Sequence, residues 1–316
     1  MSNQIAVVVP AYKVRAHILE VLTKIGPEVS AIYVVDDACP EGSGKLVAEQ
    51  VSDPRVRVIT NDKNLGVGGA VCVGYEAALK AGADVVVKLD GDGQMNPAQI
   101  STLVEPILSG KADYTKGNRF ASISGLSQMP NIRVLGNGGL SLMTKLSSGY
   151  WNVTDPTNGF TAIHKSVLAC LPLEMLSKRF FFESDMLFRL NLMKAVVVDV
   201  PMDSQYGEEK SNLNVFRAAI EFSWKHFVNF HKRLFYNYYL RDMSAASLEL
   251  PIGTALFWFG LIFGMIRWNL SIVSGHPATA GTVMLSSVSL IIGLQLILAF
   301  VNYDVVQVPR NPIQKR

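Results

Sequence analysis

The amino-acid sequence predicts an α/β protein with a mostly parallel sheet, followed by an amphipathic helix and a two-helix apolar hairpin. Three observations carry that expectation. Short β-branched runs alternate with helical segments through the first third of the chain, acidic and polar clusters follow the strands, and two charge-free apolar stretches close the sequence. Hydrophobic residues make up 49% of the 316 and charged residues 17%. The apolar excess lies mostly after Leu250, so a soluble-type front carries a greasy tail.

In chain order, residues 5–9 read as a strand, 16–25 as a helix, 31–35 as a strand and 44–51 as a helix. Residues 55–60 then read as a strand, 68–81 as a helix, 84–89 as a strand and 97–109 as a helix. Continuous apolar strands separated by helices imply a sheet covered on both faces. Ligands of such sheets bind beyond the carboxyl ends of the strands. The polar clusters sit there: Asp36-Asp37 after the second strand, Asn61 to Gly69 after the third, and Asp90 to Gln94 after the fourth. Residues 111–212 are less regular and read as the acceptor half of the same domain, giving a catalytic domain over 1–212.

Residues 214–240 show Phe216, Ile220, Phe227, Phe230 and Leu234 interleaved with Lys225, Lys232 and Arg233, which fits an interfacial helix within a 213–249 segment. An ordinary amphipathic helix packed on the domain is the alternative. Residues 250–266 and 277–303 are without charge, and two such runs in succession predict a transmembrane hairpin over 250–303, with a tail over 304–316. Lys232, Arg233 and Arg241 precede the hairpin and Arg310, Lys315 and Arg316 follow it, against Arg267 alone in the connection. The positive-inside rule then places catalytic domain and tail on the cytosolic face of the membrane. The N-terminus shows no signal-peptide pattern, since Pro10 interrupts the short apolar run.

A net charge of +3 is too small to argue for nucleic acid. Cys39, Cys72 and Cys170 have neither metal nor disulfide spacing and point to a reducing compartment. His17 and His164 read as surface or packing residues, His226 and His231 as residues of the interfacial helix, and His276 as part of the outer loop. No Ser-His-Asp constellation competes with the acids.

The chemistry centres on Asp90-Gly91-Asp92-Gly93-Gln94. A nucleotide-diphospho-sugar brings two phosphates whose charge must be held as the nucleotide leaves, and a hard divalent cation bound by few carboxylates and completed by the diphosphate does this. Carboxylates two apart on a tight turn can converge on one ion, although an acidic turn capping a helix at Pro97 has the same sequence signature. Asp36 and Asp37 stand where a carboxylate can accept from a ribose hydroxyl or a base N–H. Asn64 to Gly69 opens a helix and offers close backbone approach, while Gly68 and Gly69 would equally serve helix–sheet packing.

In order along the chain, Val7-Val8-Val9-Pro10-Ala11-Tyr12, Val34-Val35-Asp36-Asp37, Asn64-Leu65-Gly66 and the Asp90–Gln94 turn resemble the family 2 glycosyltransferases, inverting enzymes of GT-A fold. Gln94, Gly117-Asn118-Arg119-Phe120, Arg133 and Asp155-Pro156-Thr157-Asn158-Gly159-Phe160 bring it closer to the dolichyl-phosphate mannose synthase and polyprenyl-phosphate branch. Gly207-Glu208-Glu209-Lys210-Ser211 looks like the stretch that closes the site.

The resemblance implies a metal-dependent enzyme using Mg2+ or Mn2+, with Asp92 and Gln94 on the ion and Asp90 beside ion and donor sugar. Asp36 and Asp37 would bind the nucleoside of a UDP- or GDP-linked sugar, with Pro10, Ala11 and Tyr12 flanking the base and Asn64 and Gly66 at the donor. Arg119, Arg133 and Lys210 would meet phosphates or the lipid head group of a polyprenyl acceptor, since guanidinium forks suit phosphate oxygens. A homo-oligomer is compatible with these features.

Two departures bear on the acceptor. Ser204 stands where mannose synthase relatives carry an arginine. Phe181-Phe182-Glu183-Ser184-Asp185-Met186 supplies carboxylates where enzymes acting on hydroxyls keep a general base, a role Asp185 would take if the acceptor were a hydroxyl of a lipid-diphosphate-linked saccharide. Either carboxylate could instead orient Arg119 or cap a helix over 186–192. A non-catalytic membrane scaffold that binds nucleotide-sugar is the reading from another class, and the intact Asp90–Gln94 turn argues against it.

Overall fold

A computed structural model describes residues 3–121, 131–202 and 215–316, with the backbone alone for 131–135 and 215–218. The β-branched runs become strands β1 (Ile5–Ala11), β2 (Val29–Asp36), β3 (Val56–Thr60) and β4 (Val85–Lys88), followed by β5 (Tyr114–Asn118), β6 (Thr161–His164) and β7 (Val197–Pro201). They form one sheet in the order β3-β2-β1-β4-β6-β5-β7. All neighbours pair in parallel except β6, which runs antiparallel to both β4 and β5. The mostly parallel sheet is therefore as expected. Its one reversed strand has a consequence for function, because the amino end of β6 lies beside the carboxyl ends of its neighbours. The segment entering β6, Asp155 to Phe160, thus reaches the same edge as the Asp90–Gln94 turn.

Helices α1 (Ile18–Thr23), α2 (Ser43–Gln50), α3 (Val67–Lys80), α4 (Ile100–Leu108), α5 (Asn131–Ser148), α6 (Lys165–Leu168) and α7 (Phe182–Leu192) connect or cover the strands. Strand alternation sends Val7, Val9, Val85, Val87 and Leu89 to one face, where they pack with Ile18, Val21 and Leu22 of α1 and Ile100, Leu103, Val104 and Ile107 of α4. Burying one such side chain contributes about 2 kcal/mol, so this face outweighs helix propensity in holding the elements. On the other face α3 lies so close that a β-carbon at Gly74 would run into Val8 and Val35.

The chain divides into two compact units, one of residues 1–230 with 309–316 and one of 231–308. The first unit includes the start of α8 (Val215–Phe235). Its inward side joins polar groups to Phe222, which meets the Phe181 ring edge-on at 5.5 Å. Asn229 donates to Asp185 (3.2 Å) and His226 Nδ1 meets Ser147 Oγ at 2.7 Å, with the His226 ring edge-on to Phe181. Its outward side carries Ile220, Trp224 (66% exposed) and Phe227. Exposed apolar side chains there stand beside the Glu221–Lys225 ion pair of the same helix. The tail also belongs to this unit: the Ile313 and Gln314 amides donate to the Asp113 carboxylate at 2.8 and 3.1 Å.

In the second unit, α9 (Ala245–Ser274) and α10 (Ala280–Val306) are long and apolar enough to cross a membrane, and little of either is buried. They approach through small residues: a β-carbon at Gly253 would stand 3.0 Å from the Gly293 carbonyl, and Ser286 Oγ donates to the Gly260 carbonyl at 2.8 Å. Close backbone approach at small residues is the expected way for apolar helices to associate without a hydrophobic driving force between them. Arg233, counted above among the charges flanking the hairpin, is instead buried. Its guanidinium donates to both oxygens of Asp304 (2.6 and 3.0 Å), and Tyr238 Oη donates to the same carboxylate at 2.5 Å.

Candidate functional site

The carboxyl edge of the sheet gathers the loops after β1, β2, β4 and β5. At the first of these, Pro10 and Ala11 are buried, and Tyr12 is exposed beneath the Lys13 ammonium. Asp37 N donates to the Ala11 carbonyl at 3.2 Å, joining the loops after β1 and β2. Lys13 and Ala38, both non-glycine, adopt φ values of 58° and 51°. Backbone strain of that kind collects at functional loops, and Cys39 Sγ, accepting from Lys13 N, links the two positions.

Asp36 and Asp37 are both nearly buried, and their oxygens take amide hydrogens. Asp36 accepts from Cys39 N (2.7 Å) and Gly44 N (2.6 Å). Asp37 accepts from Leu65 N and Gly66 N (each 2.8 Å) and from Asn61 Nδ2 (2.8 Å), while Asn64 Nδ2 donates to the Asp37 carbonyl. These two acids therefore shape the loops around them. The close approach expected at Gly66 is present, but the approaching group is the chain itself: a β-carbon there would lie 2.5 Å from the Lys178 carbonyl, and Gly69 N donates to that same oxygen. Gly66 also has φ +84°, so glycine is required twice over.

At the turn after β4, Gln94 N donates to Asp92 Oδ1 at 3.0 Å and Gly93 reverses the chain with φ +78°. Asp90 is 27% exposed at its side chain, and Asp92 and Gln94 are partly exposed. Two carboxylates and an amide oxygen within five residues make an all-oxygen donor set suited to a hard divalent cation. Among the described residues no three His, Cys, Asp or Glu side chains converge to hold a metal by themselves.

Beneath this turn is Lys88, whose side chain is 1% exposed. Its ammonium contacts Asp90 Oδ1 (2.8 Å), Glu183 Oε1 (3.1 Å) and the Gly159 carbonyl (3.2 Å). Burial alone would pull its pKa down, but the two carboxylates more than offset this and hold it above the usual lysine range. Lys116, next but one in the sheet, is also buried and donates to the Asn158 carbonyl. Burial brings it down to about 8, against the opposing pull of Glu183 and Asp155. Asp199, pushed up to about 6 by burial, accepts from Thr154 N and Asn118 Nδ2. A charged residue closing the apolar run Val85-Val86-Val87 was the sequence signal for Lys88, since a lysine in a doubly covered strand needs buried partners.

Arg119 reaches this edge from the end of β5. Its guanidinium is paired with the fully buried Asp155 (Nε 2.7 Å, Nη2 3.0 Å) and touches Thr157. Asp155 thus presents Arg119, with 29% of that side chain exposed. Asp185 is placed otherwise. Only 5% exposed, it accepts from Ser177 N (2.9 Å), Arg189 Nε (3.3 Å) and Asn229 Nδ2 (3.2 Å). Those bonds tie α7, α8 and the 177 loop together; its neighbour Glu183 is the one that reaches Lys88. The Arg133 side chain, Ser204 and the 207–211 stretch with Lys210 lie outside the described residues.

Comparison with known proteins bears on the family and the fold. The family described as Glycosyl transferase family 2 matches residues 6–171. The chain is 30% identical over 218 residues to a UDP-N-acetylglucosamine–dolichyl-phosphate N-acetylglucosaminyltransferase of Methanococcus voltae, covering 65% of this chain and 86% of that protein. It is 31% identical over 196 residues to an undecaprenyl-phosphate mannosyltransferase of Micrococcus luteus, covering 60% and 79%. Among solved structures, glucosyl-3-phosphoglycerate synthase of Mycobacterium tuberculosis, in complex with Mn2+, uridine diphosphate and phosphoglyceric acid, superposes with a TM-score of 0.55 at 20% identity, over 73% of this chain and 78% of that one. That likeness concerns the fold.

Proposed function

The chain belongs to glycosyl transferase family 2, and on that premise we propose that it transfers a sugar, with inversion, from a UDP- or GDP-linked donor to a polyprenyl phosphate at the membrane surface. The observation that carries the reading is the oxygen-rich Asp90–Gln94 turn at the carboxyl edge, joined there by Arg119 and by the buried Lys88. Relatives named for dolichyl- and undecaprenyl-phosphate acceptors support the choice of acceptor.

In this reading Asp92 and Gln94 hold Mg2+ or Mn2+, which when bound offsets negative charge on the departing nucleoside diphosphate. Asp90 lies beside the donor sugar, Pro10 to Tyr12 flank the base, and Asp36 and Asp37 fix the loops that receive the nucleoside. Arg119, held in plane by Asp155, offers its exposed edge to phosphate oxygens, and Arg133 and Lys210 serve the same anions. A phosphate monoester reaches the anomeric carbon already ionised and needs no base. The state of both nearby carboxylates supports such an acceptor, because Glu183 is paired with Lys88 and Asp185 is committed to three structural hydrogen bonds.

The membrane seat follows from the apolar outward stripe of α8 and from α9 and α10, long enough to span. Flanking charges other than Arg233 still favour the catalytic domain and tail on the cytosolic side. The test is acceptor choice: purified protein in nanodiscs receives radiolabelled UDP- and GDP-sugars with Mn2+ and either polyprenyl phosphate or a lipid-diphosphate-linked saccharide. Label appearing on the monophosphate supports the proposal, and label appearing solely on the saccharide rejects it.

A further inference from the structure

The Lys88 ammonium has three N–H groups and three acceptors: Asp90 Oδ1, Glu183 Oε1 and the Gly159 carbonyl. An ammonium this deeply buried is expensive unless fully paired, and Asp90, being partly exposed, has water to solvate it without a lysine. Neutralising Asp90 therefore does not explain the arrangement. Geometry does. Lys88 takes Asp90 Oδ1 from below, and the other oxygen, Oδ2, lies against Gly159, where an added β-carbon would come within 2.6 Å of it and would also collide with Lys88 Nζ. The carboxylate is thus gripped on one oxygen and confined at the other. Glu183, 12% exposed, adds a second negative charge to the same ammonium. Two carboxylates share one cation, so Asp90 keeps part of its charge for a ligand.

We propose that Lys88, tied to Glu183, is a positioning residue that orients Asp90 toward the bound divalent ion and donor sugar. The proposal rests on the donor-site reading of the Asp90–Gln94 turn. It also gives Glu183 a role other than general base, and it accounts for glycine at position 159.

The test uses the full chain in nanodiscs and four proteins: wild type, K88M, E183Q and K88M/E183Q. Mn2+ binding is measured by calorimetry with saturating UDP and with saturating GDP, beside melting temperature and the kcat and KM of transfer. K88M strands two carboxylates, whereas K88M/E183Q removes one of them and so separates folding from positioning. The expected result is that K88M/E183Q melts close to wild type yet binds Mn2+ about 10- to 100-fold more weakly, as loss of a ligand's supporting partner does, with kcat falling more than KM rises. E183Q, which leaves Lys88 wholly on Asp90, is expected to weaken Mn2+ by about 10-fold or less. A folded K88M/E183Q with wild-type Mn2+ affinity and kcat would overturn the proposal and leave Lys88 a buried structural charge. Wild-type protein that takes no Mn2+ with either nucleotide would overturn the donor-site reading and the proposal with it.

Discussion

At the carboxyl end of β2, Asp36 and Asp37 are nearly buried, and main-chain amides occupy their oxygens. At the carboxyl end of β4, Asp90 and Asp92 stay partly exposed; one is held from beneath by a lysine side chain and the other accepts from an amide within its own turn. Both pairs stand where open α/β sheets bind ligands. Position alone does not separate them; the partners of their oxygens do. An acid ringed by backbone N–H groups holds loops in shape, whereas a partly exposed acid stays in contact with the site it borders.

Substitution sharpens that contrast. Asp92→Ala is expected to lower transfer by about 1,000-fold, the scale of losing a group that meets developing charge, with little change in melting temperature; kinetics and thermal unfolding on the same sample check it. Asp37→Ala should invert the pattern. Stranding the Leu65 and Gly66 amides costs about 3 kcal/mol, read as a lower denaturant midpoint, while folded enzyme at saturating donor keeps more activity than Asp92→Ala. If Asp37→Ala instead abolished turnover without destabilising the protein, the contrast would collapse. Gly159→Ala should cost about 2 kcal/mol in transition-state stabilisation, the scale of a displaced supporting partner, and kcat with Mn2+ titration reads it.

The smallest effect concerns His226, whose imidazole is lowered to about 4 by burial. Its Nε2 finds no hydrogen-bond partner among the described residues. A folded pKa below the unfolded 6.5 means that the unfolded chain binds the proton first. Stability from the neutral ring is therefore complete above pH 6.5 and drains away as pH falls toward 4. Other groups titrate in that window, so the readout is a difference: His226→Leu should lose about 2 kcal/mol less than wild type between pH 6.5 and 4.5, by chemical denaturation. Equal losses would show that the inward face of α8 is solvated rather than packed.

Much of the architecture was legible because local patterns carried it. Period and composition revealed strands β1 to β4, the helices between them and the apolar hairpin, and ordered motifs pointed to the donor edge. Reversal of β6 was not legible, since pairing direction depends on partners far along the chain. Nor was the identity of what approaches Gly66, which is the carbonyl of Lys178 more than a hundred residues later. The charges misled at two points. Arg233 looked like a flanking positive charge and is buried on Asp304, while Asp185, the expected base for a hydroxyl acceptor, accepts from Ser177, Arg189 and Asn229. In each case a partner far along the chain, Asp304 or Asn229, is part of the setting, and residue type gave no sign of it. Lys88 passed unnoticed in the sequence despite closing an apolar strand, and its partners Glu183 and Gly159 come from far along the chain.

The account turns on an ion seated at the β4 turn with the donor's diphosphate. Anomalous diffraction from crystals grown with Mn2+ and the preferred nucleoside diphosphate tests this most directly. The expected result is a Mn2+ peak about 2.2 Å from oxygens of Asp92 and Gln94 and of the diphosphate, with Asp90 beside it. Nucleotide bound elsewhere, or bound at this edge with the manganese away from the turn, would contradict it.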